Sequence, residues 1–135
     1  VNSFRDTAEG VSIAVSQEGA DSEIDADAVL LVAEPTPFGF HDFRLAHQAF
    51  RQIGKPMAVI MNRAAMPGNA EGDGALRAYC AEQGLRVLGE LPFDRAAAET
   101  YAKARLIAAA SPEWRARFES LRDAVLTFAE GACHA

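Results

Sequence analysis

Short apolar runs alternate with helical patterns of apolar residues along most of the chain. The runs contain β-branched residues and end at turn-forming residues, which predicts strands buried on both faces of a sheet. These predicted strands are residues 28–33, 57–61 and 85–91. Apolar positions that recur every three or four residues predict helices between and after the strands. The predicted helices are residues 40–53, 74–83 and 95–104, and a last helix that starts at a Ser111-Pro112 cap.

The beginning of the chain has a different character. The first 26 residues are mostly polar and without a sustained period, apart from a strand-like run at residues 11–15. From residue 27 onward the pattern is continuous, and a total of 135 residues fits a single core. We therefore expect a poorly patterned lead-in at residues 1–26, followed by one α/β unit at residues 27–135.

The order of the predicted elements is strand, helix, strand, helix, strand, helix, helix. Helical crossovers between consecutive strands are typical of a parallel sheet with right-handed connections. The sequence thus predicts an α/β protein with three layers and a mostly parallel sheet. Because ligands of such sheets bind beyond the carboxyl ends of the strands, the candidate site lies at the three strand exits. These exits are Glu34-Pro35-Thr36, Asn62-Arg63 and Pro92-Phe93-Asp94.

Composition and charge narrow the class of protein. The chain has 13 basic and 19 acidic residues, a net charge of −6, which argues against binding nucleic acid through overall charge. No apolar run is long enough for a membrane span, and no signal peptide pattern is present. Cys80 and Cys133 are far apart and lack the spacing of a zinc or iron–sulfur site. We expect a cytoplasmic protein without a metal site of its own.

Three segments at the strand exits resemble motifs of the MinD/ParA-like P-loop ATPases, in the superfamily of the nitrogenase iron protein. Residues 31–42 (LVAEPTPFGFHD) resemble the motif V-T-E-P-T-P-F-G-L-H-D. Residues 54–64 (GKPMAVIMNRA) resemble G-x-P-x-x-V-V-I-N-R-A, and residues 88–94 (LGELPFD) resemble L-G-x-I-P-F-D. The resemblance is strongest to the subgroup that often carries an inserted ferredoxin module.

The resemblance covers residues 27–105 and implies the C-terminal half of a P-loop NTPase fold, of the CobQ/CobB/MinD/ParA nucleotide-binding type. The G-K-[S/T] phosphate loop and the ferredoxin cysteines are absent from these 135 residues. Residues 6–12 (DTAEGVS) resemble a degenerate switch segment, D-x-P-P-G-x-S, in which Asp6 and Gly10 match and both prolines are lost. By this resemblance Asp6 would correspond to the acidic residue near the magnesium ion.

The resemblance also implies roles for individual residues. In the family an Asn at the position of Asn62 hydrogen-bonds the adenine, and an amide suits that role because it both donates and accepts. The implied nucleotide-binding residues are Asn62, Arg63, Pro92, Phe93 and Asp94. The implied switch or interface residues are Asp6, Gly10, Glu34, Pro35 and Thr36. A complete family member binds ATP or ADP with Mg²⁺, whereas this chain is expected to bind none of them tightly and to hold no catalytic residue.

Four of the site residues also have a purely structural alternative. Asn62 and Arg63 can cap local backbone at a strand end. Asp94 stands where a helix N-cap is expected, and Glu34 can be a solvated turn residue. His41 and His47 on the first predicted helix are expected at the protein surface.

Two functions from different classes follow. The first is the adenine-nucleotide-binding portion of a MinD/ParA-like ATPase that switches partner binding in iron–sulfur or metallocofactor handling. Without a phosphate loop, this chain alone should not hydrolyse ATP. The alternative is a standalone, non-catalytic α/β protein-interaction module derived from that family. The expected partner under either function is a second copy of the chain or another protein.

Overall fold

The centre of the protein is a mostly parallel β-sheet. A computed structural model describes residues 2–6, 11–16 and 27–133. In these residues the sheet has five strands in the order β1-β2-β3-β4-β5, in which β1 pairs antiparallel with β2 and every other neighbouring pair is parallel. The strands are β1 (Asn2–Asp6), β2 (Val11–Ser16), β3 (Ala28–Ala33), β4 (Met57–Ala64) and β5 (Arg86–Pro92).

Helices cover both faces of this sheet, which confirms the predicted three-layer α/β architecture. They are α1 (Pro37–Phe50), α2 (Ala70–Glu82), α3 (Arg95–Ala102), α4 (Ile107–Ala110) and α5 (Pro112–Cys133). Successive residues of β3 alternate between the two layers, as a pleated strand requires. Val29 and Leu31 belong to the core shared with α1 and α2, whereas Leu30 packs in the core shared with α5.

The first two helices begin earlier than the sequence predicts. Helix α1 starts at Pro37 rather than residue 40, because the Thr36 hydroxyl accepts a hydrogen bond from the Gly39 N–H at 3.1 Å. A proline in the first turn loses no helical hydrogen bond, so Pro37 starts the helix instead of delaying it. Helix α2 starts at Ala70 rather than residue 74.

The lead-in contributes two strands to the sheet. The strand-like run at residues 11–15 is confirmed as β2, and it lies beside β3. The polar segment Asn2–Asp6 forms β1, which the sequence pattern does not predict. The pairing of β1 with β2 explains the difference, because a short strand at a sheet edge is determined by its neighbour more than by its own composition.

The prediction that His47 lies at the surface is wrong. Its side chain is buried between α1 and α2, with Nδ1 at 2.7 Å from the hydroxyl oxygen of Tyr79. Position 47 follows Phe43 by four residues and precedes Phe50 by three, so it shares their buried face. His41 is exposed, as predicted. Cys80 is buried, and burial raises the pKa of its thiol to about 11, so it behaves as a small apolar residue.

Candidate functional site

Two of the predicted strand exits meet at one cavity of about 590 Å³ beyond the carboxyl ends of β4 and β5. The exits are tied together by a hydrogen bond from the Phe93 N–H to the Ala64 carbonyl oxygen, at 2.7 Å. All of the predicted nucleotide-binding residues line this cavity, namely Asn62, Arg63, Pro92, Phe93 and Asp94. A volume of this size is in the range of small-molecule sites, and its walls combine apolar surface with a few polar groups.

Asn62 is the polar side chain with unused hydrogen-bonding capacity in the cavity. It is partly buried at the end of β4, and its Oδ1 accepts a hydrogen bond from the Arg63 N–H at 3.0 Å. This local cap is the structural role that the sequence left open. Within residues 27–132 the side chain makes no other hydrogen bond. Both Nδ2 hydrogens and the second lone pair of Oδ1 therefore remain for a ligand.

Arg63 connects the cavity to the exit of β3. Its guanidinium lies over the Phe93 ring, 5.5 Å from the centroid, and its Nη1 is 3.8 Å from Glu34 Oε2. The backbone of Arg63 is in the left-handed region, with φ 55°, and so is that of Ala65, with φ 56°. Such conformations are costly for residues with a Cβ, and they concentrate at functional sites.

The Asp94 carboxylate accepts three hydrogen bonds from within the protein. Its Oδ1 accepts from the N–H groups of Ala96 and Ala97 at 2.8 and 3.3 Å, which confirms the predicted N-cap of α3. Its Oδ2 accepts from the indole Nε1 of Trp114 at 3.0 Å. The hydrogen bond from Trp114, together with those from Ala97 and Ala96, lowers the pKa of Asp94 below its usual range. This carboxylate shapes the cavity wall and has little hydrogen-bonding capacity left for a ligand.

Aromatic and aliphatic side chains from the last three helices complete the cavity. Tyr101 of α3, Ile107 of α4, and Trp114 and Phe118 of α5 line it, and the two rings of α5 lie 5.7 Å apart. The sequence analysis did not single out Tyr101, Trp114 or Phe118. The signal available for Trp114 was its spacing of four residues from Phe118, which places both on one face of a helix.

The predicted interface residues Glu34, Pro35 and Thr36 do not line the cavity, and their neighbours give them structural roles. Pro35 is buried, and its carbonyl oxygen accepts a hydrogen bond from Asn69 Nδ2 at 2.7 Å. Thr36 caps α1, as described above. Glu34 is partly exposed and reaches the site only through Arg63. Of the predicted switch residues, Asp6 is the last residue of β1, and Gly10 lies outside the described residues.

Two further observations concern the part of the chain that the structure describes. No group of three or more His, Cys, Asp or Glu side chains there is placed to hold a metal ion. None of the helices there is long and apolar enough to cross a membrane. Neither a protein-family model nor a curated protein matches the chain. The cavity and the motifs at its strand exits are therefore the features that point to a function.

Proposed function

We propose that this chain is the adenine-nucleotide-binding portion of a MinD/ParA-like ATPase, and that the cavity beyond β4 and β5 is its base site. One observation carries the proposal. The five residues that the motif resemblance implies for nucleotide binding come from two separate segments of the sequence, and all of them line the same cavity. The aromatic wall opposite them is the kind of surface on which a purine ring packs.

The cavity offers groups that match the edge of an adenine. Asn62 Nδ2 donates to a ring nitrogen, and the free lone pair of Oδ1 accepts from the exocyclic amino group. The Asp94 carboxylate is already bonded to three donors. It therefore has little capacity left for the ring N–H and amino group of a guanine, which favours adenine.

The proposed larger function is an ATPase cycle that switches the binding of a protein partner, in iron–sulfur or metallocofactor handling. In a complete family member, ATP with Mg²⁺ binds at the phosphate loop, and two copies form the dimer. The G-K-[S/T] loop is absent from these 135 residues. Phosphoryl transfer depends on positioned charges around the phosphates, so we expect no hydrolysis of ATP by this chain alone.

A second function, that of a non-catalytic protein-interaction module, is favoured by a different observation. Several polar groups of the cavity already interact with other groups of the protein. The Asp94 carboxylate is bonded to backbone and indole donors, and the Arg63 guanidinium lies over the Phe93 ring. If this arrangement is the functional state, the cavity is a remnant of the family fold and binds no nucleotide.

Thermal unfolding in the presence of ADP separates the two functions, because a ligand that binds the folded state must stabilise it. At an ADP concentration about ten times its dissociation constant, the melting temperature of the protein is expected to rise by about 3–5 °C. Asn62→Ala should lose most of this shift. Gln48→Ala removes an amide from the exposed face of α1 and should retain the shift. An unchanged melting temperature in the wild-type chain at saturating ADP would favour the interaction module.

A further inference from the structure

The Arg63 side chain lies between two strand exits that belong to different parts of the candidate site. On one side its guanidinium covers the Phe93 ring inside the cavity, and on the other it approaches the Glu34 carboxylate outside it. About half of the Arg63 side chain is exposed, so it has room to move. No other ion pair within residues 27–132 joins the exit of β3 to the cavity.

The two contacts of Arg63 differ in their geometry. Guanidinium and ring lie within the distance of a cation–π contact, so the guanidinium occupies a face of Phe93 that a planar ligand would otherwise use. The ion pair with Glu34 is long, at 3.8 Å, compared with about 2.7–2.9 Å for a close charge-assisted hydrogen bond. Arg63 can therefore shorten the ion pair when it leaves the ring.

The backbone of Glu34 is packed against the start of α1. A Cβ at Gly39 would lie 2.8 Å from both the Cβ and the carbonyl oxygen of Glu34, so the start of α1 sits directly against this residue. The next residue, Pro35, is buried and held through its carbonyl by Asn69. The backbone that carries the carboxylate is therefore held by its neighbours, and the Arg63 side chain is the more exposed member of the pair.

We propose that Arg63 couples the cavity to Glu34: a planar ligand that takes the Phe93 face moves the guanidinium onto Glu34, and the ion pair then stabilises the occupied cavity. The proposal rests on the proposed function, because the ligand is the adenine ring. Coupling between two sites is reciprocal. A cationic side chain of a partner protein that binds Glu34 would return Arg63 to Phe93 and weaken ligand binding.

A double-mutant cycle tests this coupling. The single tryptophan of the chain, Trp114, lines the cavity, so its fluorescence reports ADP binding. Glu34→Gln should weaken ADP binding about two- to fivefold, the range of an exposed ion pair, and the loss should shrink at high salt. Arg63→Ala uncovers Phe93 and should bind ADP as well as the wild type or more tightly. In the Arg63→Ala background, Glu34→Gln should have no further effect.

The outcomes separate this inference from the function on which it rests. If Arg63→Ala loses affinity while Glu34→Gln does not, Arg63 contacts the ligand directly and the coupling is refuted. Equal losses from Glu34→Gln with and without Arg63 refute it as well. If the wild-type chain binds no ADP by fluorescence or by thermal shift, the proposed function fails, and the inference fails with it. Arg63→Lys keeps the charge but not the planar group, and should preserve the dependence on Glu34.

Discussion

Asp94 joins three elements through a single carboxylate at the end of β5. One oxygen caps α3, and the other accepts the indole hydrogen of Trp114 in α5. The cap was predictable, because an Asp directly before a helical pattern is a common N-cap. The contact with Trp114 was not, because it joins residues 20 positions apart and depends on how α5 lies against α3.

The first prediction concerns the charge of this carboxylate. Asp94→Asn should lower the stability of the protein at about pH 7, because the amide nitrogen cannot accept the indole hydrogen bond. The folded-state pKa of Asp94 is lowered, so its stabilisation is present above the unfolded pKa of about 3.9 and is lost as the pH falls through the folded value. The difference in stability between the two proteins should therefore shrink below about pH 4.

Urea unfolding at neutral and acidic pH measures this difference. Asp42→Asn replaces an exposed carboxylate on α1 and serves as the matched control, with a small effect at either pH. If the difference in stability between wild type and Asp94→Asn is equally large at both pH values, the hydrogen bonds stabilise the protein without the charge.

His47 is a second residue whose environment changes its chemistry. Burial, and to a lesser degree the positive charge of Arg51, lowers the pKa of His47. Its ring packs edge-on against Tyr79 and accepts or donates at the tyrosine hydroxyl according to its tautomer. The burial of His47 was not predicted from the sequence, because an isolated histidine on a helix is more often a surface residue.

The second prediction follows from the direction of that pKa shift. A histidine with a lowered folded-state pKa binds its proton more readily in the unfolded chain, so stability should fall as the pH drops below about 6.5. His47→Gln should remove this part of the pH dependence between about pH 7.5 and 5.5. His41→Gln, at an exposed position on the same helix, should retain it. Identical pH profiles for the two variants in chemical unfolding would contradict the assignment.

At the scale of elements, the strands β3 to β5 and the starts of α3 and α5 were predictable, whereas the end of β4 and the starts of α1 and α2 were not. Apolar runs that end in polar or rigid residues locate β3, β4 and β5 from sequence, because buried parallel strands leave a continuous apolar signal. The start of α2 was not predictable, because it depends on a contact from another exit. Asn69 does not cap its own helix and donates instead to the carbonyl of Pro35.

The third prediction tests this connection between α2 and the exit of β3. A Cβ at Gly72 would meet the Pro35 carbonyl oxygen and the Asn69 amide, whereas a Cβ at Gly74 would meet nothing within 4 Å. Gly72→Ala should therefore destabilise the protein by more than about 2 kcal/mol, since backbone must shift to admit the methyl group. Gly74→Ala, in the same helix, should stabilise it by up to about 1 kcal/mol.

Chemical unfolding of the two variants provides the comparison. Both glycines lie in α2, two residues apart, so the change in helix propensity on substitution by alanine is similar. The difference between the two variants therefore reports what surrounds each position. Equal gains in stability from both substitutions would mean that α2 can move away from Pro35 at little cost.

For the whole molecule, the sequence predicts the fold class and one side of the site. Parallel strands bring their carboxyl ends to one edge, so the meeting of Asn62 with Pro92–Asp94 follows from the order of elements alone. The opposite wall, from Tyr101 to Phe118, depends on how α3, α4 and α5 fold back over that edge. No local sequence pattern predicts how these three helices pack over the strand ends. The complete cavity could therefore be recognised only in the three-dimensional structure.

The proposed function requires that the cavity holds an adenine through Asn62. Two-dimensional amide spectroscopy during a titration with adenosine tests it most directly, with the Asn62 side-chain signal assigned from the Asn62→Ala variant. We predict saturable shifts of the Asn62 Nδ2 pair and the Trp114 indole, with the Gln48 side-chain pair unchanged. Shifts absent from both cavity signals at saturating adenosine, or confined to signals outside the cavity, would contradict the account.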